Sequence, residues 1–501
     1  MTQIPNGGQL PAKPWYAFAV PFVGKSVRLL ARVARHGGSA LPGKVAEQMD
    51  PGFLRRALAQ LPLGVVLVSG TNGKTTTTRM VASMLTELGL KVFTNPTGSN
   101  FTRGVASALL REVDLTGRLD ADIAVLELDE AYAVHFVRQV KPRFSLLLNV
   151  MRDQLDRFGE IDNTARLLSH VAEATTTAVV LNREDPRISA LASCVRPATE
   201  TRYFGLAPSL RSFFPSDDDM HGSDAGAGAT ATKLTAEDLY AIAEQSVKGG
   251  EASVDAMLAQ TGAGAGAEGS DAARASGESP DSLAADVTLT QVGDHTAGFR
   301  IGGDDCSSKV RLEGVYNLFN AAGALAMVRA ILAHGNINTP KNVDARRLME
   351  VLSTVTPAFG RGEVIEYQGA PIELVLVKNP MGFRLSLASF EPAGTDTMIA
   401  ICDEYADGRD MSWLWDVDFS SLKAGGVEMV SGKRAWDMSL RLGYDRVPVK
   451  TTNTNLSEAL TDFVSRHPGR PKRIYCTYTS MLKVRQRLSH ITDVADAGVG
   501  R

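Results

Sequence analysis

The sequence predicts an α/β protein of two units, a larger one with a parallel sheet wrapped by helices and a smaller α/β unit after it. Three observations carry this. Between Leu61 and Asn182, short apolar β-rich runs alternate with helical patterns. The first run ends in a glycine turn, Gly70-Thr71-Asn72-Gly73, that opens directly into a helix at Lys74. A second alternation begins after Pro357.

In the larger unit the strand-like runs are Val65–Val68, Lys91–Phe93, Ile123–Leu128, Phe144–Leu148 and Ala178–Leu181. The glycine turn follows an early strand, at the carboxyl edge where such sheets bind ligands. Gly70 and Gly73 let the backbone bend with N–H groups turned inward, and these groups with the next helix N-terminus can cradle phosphate oxygens. Lys74 can reach the outer phosphates, and the Thr75 hydroxyl can hold Mg²⁺. The predicted nucleotide site is Gly70, Thr71, Asn72, Gly73, Lys74, Thr75 and Thr76. Val68 stands where the general phosphate loop has its first glycine, so this is a shorter form of that loop. A strand, glycine turn and helix that bind nothing would not need the lysine and hydroxyl together.

Glu127 lies at the tip of the run from Ile123, where a carboxylate can reach Mg²⁺; a solvated loop acid is the plainer explanation. Asn149 and the polar block Arg152–Glu160 follow another strand and can frame a terminal phosphate, or form a salt-bridged surface loop. A helix begins at Tyr316, with Asn317 and Asn320 three apart on one face. Their amides can read an adenine edge, and helix capping is the alternative. Arg361, in Phe359-Gly360-Arg361-Gly362-Glu363, stands at the junction of the two units, where closure can bring it onto phosphate.

Residues 215–285 are acidic, rich in Ala, Gly and Ser and poor in aromatics, a linker-like composition. Within them Thr235 and Asp238 can cap a helix. Beyond them Val287–Thr290 and Gly298–Ile301 alternate around Gly293-Asp294 as a hairpin. In the smaller unit Pro371–Val377, Met398–Ile401, Gly426–Val430, Val447–Lys450 and Arg473–Cys476 read as strands, with helices at Ala435–Leu442 and Leu456–Ser465. The expected domains are a helical arm at 1–54, a central unit at 55–352 carrying the insert, and a C-terminal unit at 357–501.

Composition narrows the function classes. At 501 residues and 44% hydrophobic, the chain can bury large cores. Its net charge of −3 supplies no global basic field, so no nucleic-acid partner is expected. The four cysteines Cys194, Cys306, Cys402 and Cys476 form no Cys-x-x-Cys pair, which fits a reducing cytoplasm and argues against a zinc knuckle. Trp15–Val23 is apolar but interrupted by Pro21, and far short of the roughly 20 residues a bilayer span needs. Lys25, Arg28, Arg32 and Arg35 then share a helix-like stretch with Val27, Leu29, Leu30 and Val33, a helix that either packs on the protein or lies on a membrane surface.

Together these residues resemble the Mur ligase superfamily, whose shorter phosphate loop is Gly70–Thr75 here. The C-terminal motifs Lys378-Asn379-Pro380-Met381-Gly382, Ala406-Asp407-Gly408-Arg409-Asp410-Met411-Ser412-Trp413 and Tyr478-Thr479-Ser480 look like the MurT family, the ligase-like subunits of glutamine-hydrolysing lipid II isoglutaminyl synthases. The resemblance implies a Mur ligase-type central ATP-binding domain, ATP with Mg²⁺, and amidation of the D-glutamate α-carboxylate of the lipid II stem peptide through an acyl phosphate. It implies Lys74, Mg²⁺ and Arg361 as stabilisers of the moving phosphoryl group. It further implies a heterodimer with a GatD-like class-I glutaminase, Asp410 completing that partner's Cys-His triad in trans, and a place in the cytoplasm at the inner face of the plasma membrane. Family members often carry a four-cysteine zinc ribbon where this chain has its insert, so no structural zinc is expected. Gln154 and Phe158 replace histidines of amino-acid-adding Mur ligases, and Asn379-Pro380-Met381-Gly382 replaces their Asp-x-x-His segment. Two other readings stand beside this one, an amino-acid-adding ligase of the Mur or folylpolyglutamate type and a nucleotide-regulated scaffold.

Overall fold

A computed structural model describes residues 14–17, 19–33, 41–95, 101–151, 161–213, 283–293, 296–312, 315–335, 339–341, 343–355, 361–389, 392–404 and 407–494. The block Arg152–Glu160, the segment around Thr235 and Asp238, and the side chain of Arg361 lie outside the described atoms.

Helices α1 (Ala19–Val33), α2 (Leu41–Met49) and α3 (Phe53–Leu58) precede the first strand. The chain then alternates β1 (Val65–Ser69), α4 (Lys74–Glu87), β2 (Val92–Thr94), α5 (Thr102–Glu112), β3 (Ile123–Glu127), α6 (Glu130–Gln139), β4 (Phe144–Leu147), α7 (Ile161–Ala174), β5 (Ala178–Asn182), α8 (Pro186–Ala190) and β6 (Glu200–Leu206). Strands β7 (Val287–Gly293), β8 (Thr296–Ile301) and β9 (Asp304–Lys309) complete a nine-stranded sheet in the order 2-3-1-4-5-6-7-8-9. Its strands are parallel through β7, and β8 and β9 run antiparallel. Strands β1, β3, β4 and β5 are buried along their whole length, as continuous apolar runs must be when helices cover both faces.

The five strands expected up to Leu181 are present within a residue or two, and so is the hairpin. Two strands escaped the sequence. Glu200–Leu206 and Asp304–Lys309 carry too many polar residues to show apolar alternation, and β9 forms the sheet edge, where a polar strand discourages further pairing. Because β6 and β7 are parallel, the segment holding the insert is a crossover connection within one sheet.

Helix α9 (Val315–Ala333) is apolar on all sides; its stretch Tyr316–Ala333 is long and apolar enough to cross a membrane, yet it is 72% buried inside the protein. It lies on β4 to β8 and against α4, as the central helix of the core. Helix α10 (Ala345–Thr354) packs beside it on α4 and β9.

The second sheet has six strands. They are β10 (Arg361–Tyr367), β11 (Ala370–Leu376), β12 (Asp396–Ala400), β13 (Met429–Ser431), β14 (Thr452–Asn453) and β15 (Lys472–Cys476), in the order 10-11-15-12-13-14. Helices α11 (Pro380–Ser389), α12 (Ala435–Tyr444), α13 (Leu456–Ser465) and α14 (Tyr478–Leu488) cover its two faces. The strand expected at Val447–Lys450 is reduced to a bridge between Val449 and Val427, because Pro448 cannot donate to a ladder; regular pairing resumes at Thr452. Strand β10, in which Arg361, Glu363 and Glu366 break any alternation, was not legible in advance.

Candidate nucleotide and partner sites

The phosphate loop has the backbone its glycines permit. Gly70 has φ +133° and Gly73 φ +84°. A Cβ on Gly70 would lie 3.0 Å from the Asn149 backbone, and one on Gly73 would lie 2.7 Å from the Asn320 amide. Both glycines are therefore required by φ and by close approach.

Asn149 organises the loop. Its Oδ1 accepts from the Asn72 N–H at 2.8 Å, its Nδ2 donates to the Asn72 carbonyl at 3.0 Å and to the Tyr316 hydroxyl at 2.6 Å, and its carbonyl accepts from the Thr71 N–H at 3.0 Å. This corrects one expectation. The Thr71 and Asn72 amides bond Asn149 rather than turning inward, and the α4 N-terminus at Gly73–Thr76 carries the helix-end N–H groups that can hold phosphate oxygens. Val150 next to Asn149 donates to Asp185 at 2.7 Å, and burial pushes that carboxyl up to about 6.

Lys74 is buried, with Nζ 3.0 Å from Asp129, 3.6 Å from Glu130 and 3.3 Å from the Thr71 carbonyl. The Thr75 hydroxyl donates to Glu127 at 2.8 Å. Register explains the meeting, since β3 pairs with β1 so that Glu127 stands beside Val68, immediately before the loop. Asn95 clamps the Glu127 backbone through two 2.9 Å hydrogen bonds. Asp129, Glu130 and Asn95 were missed by the sequence reading. The signal available was the acidic pair Asp129-Glu130, one residue beyond Glu127.

Asn320 is buried with its amide against Gly73, and Asn317, three residues before it on α9, is half-buried. Its Nδ2 and the Thr76 hydroxyl are buried without a hydrogen-bond partner among the described residues. Orphaned donors beside a helix N-terminus suit a nucleotide, whose oxygens would complete them. Thr75 and Glu127, a hydroxyl and a carboxylate, are the oxygen donors that magnesium takes.

The C-terminal unit reaches this site through Asn379, which follows β11. Asn379, fully buried, donates to Asn72 Oδ1 at 3.0 Å and receives the Asn72 amide at 3.4 Å; its own Oδ1 also accepts the Gly382 N–H at 2.8 Å as the N-cap of α11. Pro380 at the first helical position suits that cap. Arg361 begins β10 opposite Val375.

Farther along the C-terminal sheet, two aspartates three residues apart differ sharply. Asp407 is buried and accepts from the Thr479 N–H at 2.7 Å and the Glu404 N–H at 3.2 Å; burial pushes its carboxyl up. It thereby joins the Asp407–Trp413 segment to Tyr478-Thr479-Ser480 at the start of α14. Asp410 is exposed, and Oδ1 accepts only the local Ser412 N–H at 2.8 Å among the described contacts. Beyond it lie the exposed rings of Trp415, Trp436 and Tyr444 with Leu440; Trp415 and Tyr444 meet edge to face at 5.1 Å, and Arg441 lies 5.6 Å over Trp415.

Among the described residues one trio, Asp396, Glu428 and His467, has metal-ligand spacing. Asp396 already pairs with Lys472 at 3.0 Å, Arg470 at 3.2 Å and His467 at 2.9 Å, and Glu428 pairs with Lys450, so the cluster is an ion-pair network, in which Asp396 Oδ1 has the Arg470 ion pair but no aligned hydrogen bond among the described residues.

Residues 68–224 match the model of the Mur ligase middle domain, and 376–481 match that of the MurT ligase C-terminal domain. The lipid II isoglutaminyl synthase (glutamine-hydrolyzing) subunit MurT of Streptococcus pneumoniae is 28% identical over 470 residues, covering 92% of this chain and 94% of that protein. MurF of Acinetobacter baumannii superposes with a TM-score of 0.60 at 16% identity, over 91% of this chain and 81% of its own. MurF ligase of Thermotoga maritima, solved in complex with ADP, gives 0.56 at 16% identity over 87% and 81%.

Proposed function

The chain is a Mur ligase-type protein whose C-terminal domain is of the MurT type, and from that premise we propose that it is the ATP-dependent ligase subunit of a lipid II isoglutaminyl synthase. It amidates the D-glutamate α-carboxylate of the stem peptide to D-isoglutamine. The observation that supports this reading is the combination, in one chain, of Lys74, Thr75 and Glu127 gathered at the α4 N-terminus with an exposed Asp410 on the MurT-type domain.

A carboxylate does not react with ammonia until its oxygen becomes a leaving group. Transfer of the ATP γ-phosphoryl group to the carboxylate oxygen makes an acyl phosphate; ammonia then adds to the carbonyl carbon and inorganic phosphate leaves. The α4 N-terminus holds phosphate oxygens, and Lys74 carries positive charge toward the group in transit. Thr75 and Glu127 would hold magnesium, which when bound neutralises phosphate charge. Asp129 and Glu130 keep the Lys74 ammonium fixed before nucleotide arrives. Asn379 ties the C-terminal domain to the loop, so that the ammonia-receiving side and the phosphate side keep one geometry.

The partner in this reading is a GatD-like class-I glutaminase with a cysteine nucleophile and a histidine. Asp407 is taken up at the start of α14, whereas Asp410 and Asp416 are both exposed, and the resemblance to the MurT family selects Asp410 as the carboxylate that orients a partner's histidine. The aromatic patch from Trp415 to Tyr444 offers the rigid anchors that stable interfaces favour.

The test is an assay of the purified chain with ATP, Mg²⁺ and lipid II carrying D-glutamate. Ammonium alone should support amidation, and glutamine should do so only when the glutaminase is added. Transfer of an amino acid without ammonium-driven amidation would make it an amino-acid-adding ligase instead.

A further inference from the structure

Helix α1 has two opposite faces. Val20 is fully buried, and Gly24 sits so close to α5 that a Cβ there would meet Leu110 at 2.6 Å. These residues dock α1 on α2 and α5. On the far side Phe22 and Leu29, seven residues apart and hence on one stripe, are 63% and 64% exposed. Trp15, a further seven residues back in the turn leading to α1, is 86% exposed and meets Tyr16 edge to face at 5.6 Å. An aromatic and aliphatic stripe this open has no partner within the described chain.

Charge says what covers it. The first 46 residues contain six Lys or Arg residues and no Asp or Glu, in a chain whose net charge is −3. Lys25 lies on the flank of the stripe, its Nζ 3.4 Å from the Arg111 carbonyl, and Arg28 lies on the same helix. A positive, acid-free segment with an outward apolar stripe and tryptophan and tyrosine at its start has the composition of an interfacial helix.

We infer that α1 docks this protein on an anionic phospholipid surface, with Trp15, Phe22 and Leu29 entering the headgroup boundary and the basic residues facing lipid phosphates. The inference rests on the helix alone and holds whichever reaction the chain catalyses. If the substrate is lipid-linked as proposed above, docking also confines the ligase to the plane in which that substrate diffuses.

The experiment is flotation of the full-length chain with vesicles of pure phosphatidylcholine and with vesicles of equal parts phosphatidylcholine and phosphatidylglycerol. Wild type should float with the anionic vesicles, weakly with the neutral ones, and less as salt rises. Phe22→Ser with Leu29→Ser should lower anionic-vesicle partitioning by about tenfold or more, with the thermal midpoint unchanged, since both side chains face outward. Lys25→Gln with Arg32→Gln should reduce partitioning and flatten its salt dependence. Failure of the wild type to float with anionic vesicles at low salt, or retention of binding in the apolar variant, would overturn the inference. So would an apolar variant that floats normally but no longer self-associates or co-purifies with a glutaminase, because the stripe would then be a protein interface.

Discussion

The phosphate loop and the Asp407–Asp416 segment are both built around charged side chains, but they resolve them in opposite ways. At the loop every charge has a partner within the chain. Lys74 meets Asp129 and Glu130, Thr75 meets Glu127, and even the loop amides of Thr71 and Asn72 are taken by Asn149. In the C-terminal segment Asp407 is used up in capping α14, whereas Asp410 and the rings of Trp415, Trp436 and Tyr444 face outward. A buried ionic group must be compensated by its own fold or it destabilises that fold. An exposed carboxylate costs little in the free chain, and exposed aromatic rings are open to another molecule. The difference teaches that the charges of the loop are compensated within the chain, while the C-terminal segment leaves a carboxylate and aromatic rings open to solvent.

The comparison can be broken most severely at Lys74. Lys74→Ala should lower ATP-dependent amidation by about 10²–10³-fold. It should also destabilise the fold by about 3 kcal/mol or more, because Asp129 and Glu130 lose their counter-charge. Adding Asp129→Asn should recover the thermal midpoint but not turnover. Near-normal turnover in either variant would remove the loop from the reaction.

Asp410→Asn tests the other region. The change is nearly isosteric, and the amide oxygen still accepts the Ser412 N–H, so stability and complex formation should hold. Glutamine-driven amidation should fall by about 10²-fold or more, while ammonium-driven amidation should match wild type. Equal loss of both would move Asp410 into the synthetase site. No loss of either would make Asp407 or Asp416 the next candidate for the triad carboxylate.

Asn379→Ala sharpens the link between the regions. Removing this amide leaves Asn72 without its partner across the domains. A drop of about tenfold in kcat is expected, with a smaller change in KM for ATP, equivalent to roughly 1–2 kcal/mol. An unchanged kcat with a raised KM would make Asn379 a simple prop of the nucleotide pocket.

The smallest effect is expected from the insert. Replacing residues 220–282 by a short Gly/Ser linker keeps residues 207–219 and 283–286, more than the dozen or so that a parallel crossover requires. Amidation and thermal midpoint should stay close to wild type, since the composition cannot bury a core. Loss of folding in this deletion would make the segment structural.

Local chemistry was readable from the chain alone. The two glycines, Lys74 and Thr75 lie within six consecutive residues, and Glu127 ends a run whose unbroken apolar character identifies a strand buried on both faces. The central parallel strands and the helices Ala435–Leu442 and Leu456–Ser465 were equally plain, because periodicity reports which faces are buried. Strands β6, β9 and β10 were hidden, because their pairing depends on neighbours and their polar residues mask any alternation.

What the sequence determined by itself was therefore the set of chemical groups and the elements that carry them. Tertiary structure decided which groups meet. The Asn149 clamp on Asn72 spans 77 residues, and the Asn72–Asn379 pair spans 307. The same packing set Asn320 against Gly73 and assigned Asp407 to capping and Asp410 to solvent. Hydrogen bonds are short-ranged and directional, so two residues far apart in the chain acquire a shared role only when strand register and helix packing bring them within about 3 Å.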